Sequence, residues 1–377
     1  MSTSSWEWWR LRTVPICATL IVISVLRVTD FSRGAAGAGG AGTRIDVHHH
    51  FCPPFYWEYL AAHRSGHGGF NCTRYDAESS LRMMDRLGIS KSVLSLPTPG
   101  VVLPNVDRQT IRDMARAVNR YGAQVVASHA GRFGLFASLT LPDVQGAVDE
   151  ALYALDVLRA DGFIIGANQI LVQDSNEPLY ELLNERGSVV LIHPDLLPGS
   201  TDSSPSFEAL DMYNEMADFL LDTVHALNFM MITRVPQRFP NIKWITAHGG
   251  GFWPYSSDRF AYKIGPYLGM SPEKLTEMVS SFFYFDTAGL AGSVSIKALT
   301  DFVQPGHVLF GSDWPLVGVE LLQTCISTWD SFHFSSNTRR AIYSAAAESL
   351  LSNKTYFSRI GAAVSPPSDQ PTLLPSL

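Results

Sequence analysis

Arg44-Ile45-Asp46-Val47-His48-His49-His50-Phe51 is the first stretch after a glycine-rich leader that reads as a buried strand. In extended chain successive side chains alternate faces, so His48 and His50 project one way while Val47 and His49 project the other. Two imidazoles at that spacing can hold one metal ion. A bare His-x-His also reads as a histidine cluster with no ligand, so the pattern alone leaves both readings open. What favours the metal is recurrence at later strand ends: Leu191-Ile192-His193-Pro194, Trp244-Ile245-Thr246-Ala247-His248-Gly249-Gly250-Gly251, and Val308-Leu309-Phe310-Gly311-Ser312-Asp313-Trp314-Pro315.

Working outward, Pro53 to Tyr75 reads as a long aromatic loop with Phe55, Tyr56, Trp57, Tyr59, His63, His67 and Phe70, an insertion or lid over a site. Asp76 to Gly88 then reads as a helix, with Asp76 as N-cap and Gly88 as its stop. Strands and helices alternate from there. Apolar strands are expected at Ser92–Leu96, Phe133–Leu139, Gly162–Gly166, Val189–Ile192, Lys243–Ala247, Phe282–Phe285 and Val308–Phe310. Helices are expected at Asp107–Tyr121, Asp143–Leu158, Glu177–Glu185 and across the long stretch Met212–Arg238. With the first strand this makes eight, each nearly all apolar, and predicts a parallel (β/α)8 TIM barrel from about residue 43 to 355.

Bulk properties limit the alternatives. Of 377 residues, 46% are hydrophobic and 17% charged, as in an ordinary globular protein large enough for one such barrel. A net charge of −7 with no basic stripe argues against nucleic acid as a partner. Cys17, Cys52, Cys72 and Cys325 lack a Cys-x-x-Cys pair and read as core or bystander thiols, Cys52 turned from the site by the prolines after it.

Residues 1–42 form a leader: Arg10 and Arg12, the mostly apolar run Thr13 to Leu26, then a Gly/Ala linker. Such a run is short for a membrane span, which takes about 20 residues, yet long enough for a signal-sequence core. A signal peptide and a short membrane anchor through residues 13–26 both fit, placing the body in the secretory pathway or on a membrane; an uncleaved leader on a cytosolic protein is the alternative. Asn71 and Asn353 head glycosylation sequons, which would make the chain a glycoprotein in the first case. Residues 356–377, with their Pro/Ser-rich stretch, read as a disordered tail.

In a TIM barrel the chemistry gathers where strands end at their carboxyl side. His48 and His50 on strand one, His193 on strand five, His248 on strand six and Asp313 on strand eight would converge there. We assign His48, His50 and His193 as nitrogen ligands and Asp313 as the carboxylate ligand of one ion. That donor set suits Zn2+, with Mn2+ also possible.

Asp46-x-His48-x-His50, His193-Pro194, His248-Gly249-Gly250-Gly251 and Gly311-Ser312-Asp313-Trp314-Pro315 together resemble the amidohydrolase-2 branch of the metal-dependent hydrolase superfamily, which includes aminocarboxymuconate semialdehyde decarboxylase. Within it the nearest resemblance is to the fungal 6-methylsalicylate decarboxylases of polyketide secondary metabolism. The resemblance implies a lyase: non-oxidative decarboxylation of an ortho-hydroxybenzoate, most simply 6-methylsalicylate to 3-methylphenol and carbon dioxide. It implies that Asp313 protonates the ring carbon and that His248 orients the substrate or a metal-bound water. It also implies a homodimer in which Arg259, eleven residues after His248, reaches the neighbouring subunit's site. The family's second carboxylate-binding arginine is missing, since Arg74 is out of place, which favours a small aromatic acid with one carboxylate. Asp286 could line the pocket or cap a turn. A metal-dependent lactone or ester hydrolase is the competing expectation. It would be favoured by a strand-four lysine, and residues 162–169 contain none.

Overall fold

The computed structural model describes residues 43–63, 75–170, 176–195 and 214–352, all within the unit Gly42–Leu377. Eight parallel strands stand in sequence order around a barrel: β1 Arg44–His50, β2 Ile89–Ser95, β3 Phe133–Ser138, β4 Gly162–Gly166, β5 Val189–His193, β6 Lys243–Thr246, β7 Phe283–Asp286 and β8 Val308–Leu309. The TIM barrel is thus observed.

One apolar residue after another points inward along these strands: Ile45 and Val47, Val93, Phe136, Ile164, Val189 and Leu191, Ile245, and Leu309 form the interior cluster. The helix Ala346–Ser352 adds Ala346, Ala347, Leu350 and Leu351 to the same cluster. The other strand face packs against the surrounding helices in a larger cluster that includes Leu94, Leu135, Phe163, Ile192, Trp244 and Phe285. Burial on both faces is why these strands read as apolar runs without alternation.

Strand β8 has only two residues, so closure depends on the segment from Phe310 to Trp314. Val47 N donates to Phe310 O at 3.0 Å, Asp313 N to His48 O at 2.8 Å, and His50 N to Trp314 O at 2.7 Å. The barrel therefore closes through the segment that carries Asp313.

Several boundaries differ from expectation. Pro54–His63 is a helix, not the start of a loop. Pro54 suits a first helical turn, and Tyr56, Tyr59 and Leu60 bury at helical spacing, with both phenols donating to loop carbonyls at Gly100 and Val101, each at 2.6 Å. The remainder of that stretch, including His67, Phe70 and Arg74, lies outside the described residues, as do the leader, both sequon asparagines and the tail. The expected helix Met212–Arg238 is broken: a π-helical turn Asn214–Asp218 leads into Phe219–Ile232, and Arg234 adopts φ +59° before the short turn Val235–Arg238. Pro236 cannot continue the hydrogen-bond ladder, so the break falls just ahead of it. Cys52 is not a free thiol but disulfide-bonded, which removes it as a thiolate ligand, whereas Cys325 is free and buried.

Candidate metal centre at the barrel mouth

Strand β1 does not alternate simply. Asp46 pairs with Ser92 and His49 with Leu94, so three steps on β1 oppose two on β2. This bulge lets Val47 join the interior with Ile45 while His48 and His50 still both reach the mouth. The expected grouping of Val47 with His49 on the opposite face is corrected accordingly. His49 alone turns outward, its Nδ1 3.1 Å from Asp46 and its Nε2 3.0 Å from Ser80 Oγ.

The strand-end residues meet as the sequence suggested. His48 Nε2 lies 3.1 Å from His50 Nε2 and 3.4 Å from Asp313 Oδ1; His50 Nε2 lies 3.2 Å from the same oxygen. The ligand atoms of His48, His193, His248 and Asp313 all fall within 4.8 Å of one another. His50 belongs through its contacts with His48 and Asp313, and His248 reaches Asp313 Oδ2 at 3.3 Å. Arg259 is not brought to this cluster: it is exposed on the helix Trp253–Leu268.

Around the cluster the three histidines assigned as ligands are each oriented by a partner on the outer nitrogen. His48 Nδ1 donates to Asp286 at 2.7 Å, His50 Nδ1 to Ser95 O at 3.3 Å, and His193 Nδ1 to Pro194 O at 2.8 Å. The inward Nε2 of His193 and Oδ1 of Asp313 are buried with no hydrogen-bond partner. Donors that point inward and are left unpaired, on rings steered from behind, fit a divalent cation.

Electrostatics agree. Burial disfavours charge on His48, but the carboxylates of Asp286 and Asp313 outweigh it and push its pKa up to about 10. Burial, with the neighbouring histidines, holds His193 well below its usual range; burial and the charge on His48 lower His50. Burial would raise Asp313, yet the charge on His48 and the close Nε2 atoms of His248, His48 and His50 hold its carboxyl well below the ordinary range. Two carboxylates flanking His48 thus favour a positive charge at this position, the charge a bound cation would supply.

Two backbone features hold it. Asp46, fully buried, accepts Ser312 N at 2.9 Å and Ser312 Oγ at 2.6 Å, together with His48 N at 3.1 Å. It thereby ties the ligand strand to the residue preceding Asp313. His248 and Asp313 both have positive φ, +52° and +59°, a conformation non-glycine residues keep only where their surroundings impose it. Sequence reasoning gives Asp46 no role and leaves Asp286 undecided. The signal for both is a carboxylate inside or at the end of an otherwise apolar strand.

Beside the cluster opens a cavity of about 420 Å3, walled by Phe219, Leu220, Leu290, Leu316 and Val317, with His193, His248 and Asp313 at one end. No lysine or arginine lines it among the described residues.

Fold and site define a (β/α)8 barrel with candidate metal donors at the carboxyl ends of strands one, five, six and eight. The chain belongs to the amidohydrolase family, whose model matches residues 45–352. It is 32% identical over 321 residues to the decarboxylase macB of Penicillium terrestre, covering 81% of this chain and 94% of that one. Identity is 31% over 318 residues with the 6-methylsalicylic acid decarboxylase of Penicillium expansum, covering 81% and 95%. Among solved structures, an amidohydrolase II matches with TM-score 0.74 at 26% identity, over 82% of this chain and all of that one. The manganese-bound 5-carboxyvanillate decarboxylase of Novosphingobium aromaticivorans matches with TM-score 0.67 at 19% identity, over 83% and 96%, a likeness of fold.

Proposed function

We propose that the chain is a carboxy-lyase that removes carbon dioxide from an ortho-hydroxybenzoate, 6-methylsalicylate first among them, yielding 3-methylphenol in fungal polyketide metabolism. One observation carries this: inward-facing, unpaired nitrogen and carboxylate donors open onto a largely apolar cavity of about 420 Å3. The decarboxylase relatives support carboxy-lyase chemistry, and a cavity wall without a cationic side chain among the described residues suits a substrate with one carboxylate.

His48, His50, His193 and Asp313 would hold one divalent ion, Zn2+ or Mn2+. When bound, it would anchor the substrate's carboxylate and ortho-hydroxyl and ease the loss of the hydroxyl proton. The walls Phe219, Leu220 and Leu290 hold the ring and exclude water. Asp313, anionic at rest, takes the hydroxyl proton of the substrate and delivers it to the ring carbon that bears the carboxylate. The carbon–carboxylate bond then breaks, its electron pair returns to the ring, carbon dioxide leaves, and the phenolate regains a proton from solvent. His248 keeps Asp313 in place from 3.3 Å. Nothing is oxidised or reduced.

The lactone or ester hydrolase reading gains no support, since β4, Gly162–Gly166, carries no lysine for a bridging carbamate. For assembly we propose the homodimer: on the helix bearing Arg259, Tyr255 and Tyr262 are 78% and 70% exposed, an aromatic face suited to a second copy. For location we propose membrane or secretory association through residues 13–26. Among the described residues no helix is long and apolar enough to cross a membrane, so a salt-washed membrane fraction of the full chain is the test, and finding it soluble removes the proposal.

The deciding experiment incubates metal-analysed protein with 6-methylsalicylate and quantifies 3-methylphenol and carbon dioxide. Equal amounts of both products are expected. No turnover at one bound metal per site would redirect the search to other hydroxybenzoates and then to lactones.

A further inference from the structure

Asp286 ends β7, is fully buried, and has both oxygens engaged. Oδ2 takes the Nδ1 proton of His48 at 2.7 Å, while Oδ1 accepts the backbone amides of His248 at 2.9 Å and Ala288 at 3.0 Å. One carboxylate therefore touches a candidate ligand and the main chain of the residue whose ring reaches Asp313. Close packing is needed for this. A Cβ on Gly311 would meet the Cβ atoms of His48 at 3.0 Å and of Asp286 at 3.1 Å, so glycine there leaves room for the pair. His50 and His193, by contrast, give their Nδ1 protons to neutral carbonyls.

We propose that Asp286 is a positioning residue: it fixes His48 as the Nδ1–H tautomer with the Nε2 lone pair facing the cation site, and it anchors the strained backbone of His248 within reach of Asp313. The inference rests on reading the cluster as a metal centre. Imidazole bonded to an anion is a stronger donor than imidazole bonded to a carbonyl, so His48 is the ligand most strengthened by its surroundings. Loss of such a partner weakens metal binding by about 10–100-fold.

The test compares the full chain with Asp286→Asn, whose amide can still accept the His248 amide but no longer offers an anion to His48. Mn2+ and Zn2+ affinities are measured by competition with a chelating indicator, alongside the melting temperature of the metal-stripped proteins. An affinity loss of about 10–100-fold in the folded variant is expected. A purely structural role would lower the melting temperature and leave affinity within about twofold of wild type, which overturns the proposal. Should the variant not fold, nitrogen-15 NMR of the histidines in the unaltered, metal-loaded chain decides, with the His48 signal assigned by its loss in His48→Gln. A protected proton on Nδ1 of His48 supports the assignment and a proton on Nε2 refutes it. A wild-type chain that binds metal but decarboxylates nothing would remove only the proposed reaction. A chain that binds no metal would remove both.

Discussion

At Asp313 one carboxylate lies within 3.4 Å of the Nε2 atoms of His48, His50 and His248, on a backbone with φ +59°. Asparagine there keeps the shape but can neither carry the proton nor offer a carboxylate to the cation. Asp313→Asn is expected to cut kcat for 6-methylsalicylate by about 10²–10⁴-fold, the usual worth of a positioned acid or base; a variant keeping a tenth of wild-type turnover would exclude Asp313 from proton transfer. A second carboxylate has no such role. Burial raises the pKa of Asp222 from 3.8 to about 6, against the backbone amides of Asp195 and Asn168 that lower it. A carboxyl raised on folding contributes its stability below its unfolded pKa and loses it as pH rises through the folded value. Charged Asp222 therefore weakens the fold above pH 6. Asp222→Asn should stabilise the protein by about 3 kcal/mol at pH 8 and leave it nearly unchanged at pH 4, read from urea midpoints at both values. Of these carboxylates, Asp313 was legible from its place after a strand. Asp222, inside the helix Phe219–Ile232, was not, because helical spacing does not say which polar residue the barrel will cover.

Among the elements, the run His248 to Gly251 turns the chain at the site with all four residues at positive φ. At Gly251 an added Cβ would stand 2.3 Å from the carbonyl oxygen of Leu220, a backbone atom that cannot step aside. Gly251→Ala is expected to destabilise by about 1–3 kcal/mol from the conformation alone. It should also disturb the pocket wall at Leu220, raising KM for the aromatic acid more than it lowers kcat; unchanged stability and KM would contradict this. The His-Gly-Gly-Gly motif was visible in sequence as a strand end. Its reason, a turn threaded between Phe285, Leu290 and Leu220, depends on β7, the loop after it and the helix Phe219–Ile232. The bulge in β1 was hidden for a similar reason: period two is the default for a strand, and only pairing with β2 reveals the extra residue.

For the whole molecule, the candidate metal centre and barrel closure are one structure. Asp46 and the backbone of His48 bind the segment 310–314, so ligands from β1 and from the β8 end are held together by the hydrogen bonds that shut the barrel. A cation gripping both sides should therefore stabilise the whole fold. Stripping it with a chelator is expected to abolish decarboxylation and to lower the melting temperature, since ligand at a hundred times Kd contributes about 2.7 kcal/mol. Mn2+ or Zn2+ should restore both. A melting temperature indifferent to chelator and metal would refute this coupling.

Taken by itself, the sequence determined the eight apolar strands, their alternation with helices, and the five side chains at strand ends that meet in one cluster. Those are properties of local pattern, period and position, and a parallel barrel places every carboxyl strand end on the same side. Only tertiary structure decided the helix Pro54–His63, the disulfide at Cys52, the partners that steer the imidazoles, and the roles of Asp46 and Asp286. The carboxylate contacts join residues far apart in the chain: Asp286 and His48 are separated by 238 positions and 2.7 Å. No single-strand pattern encodes such a distance.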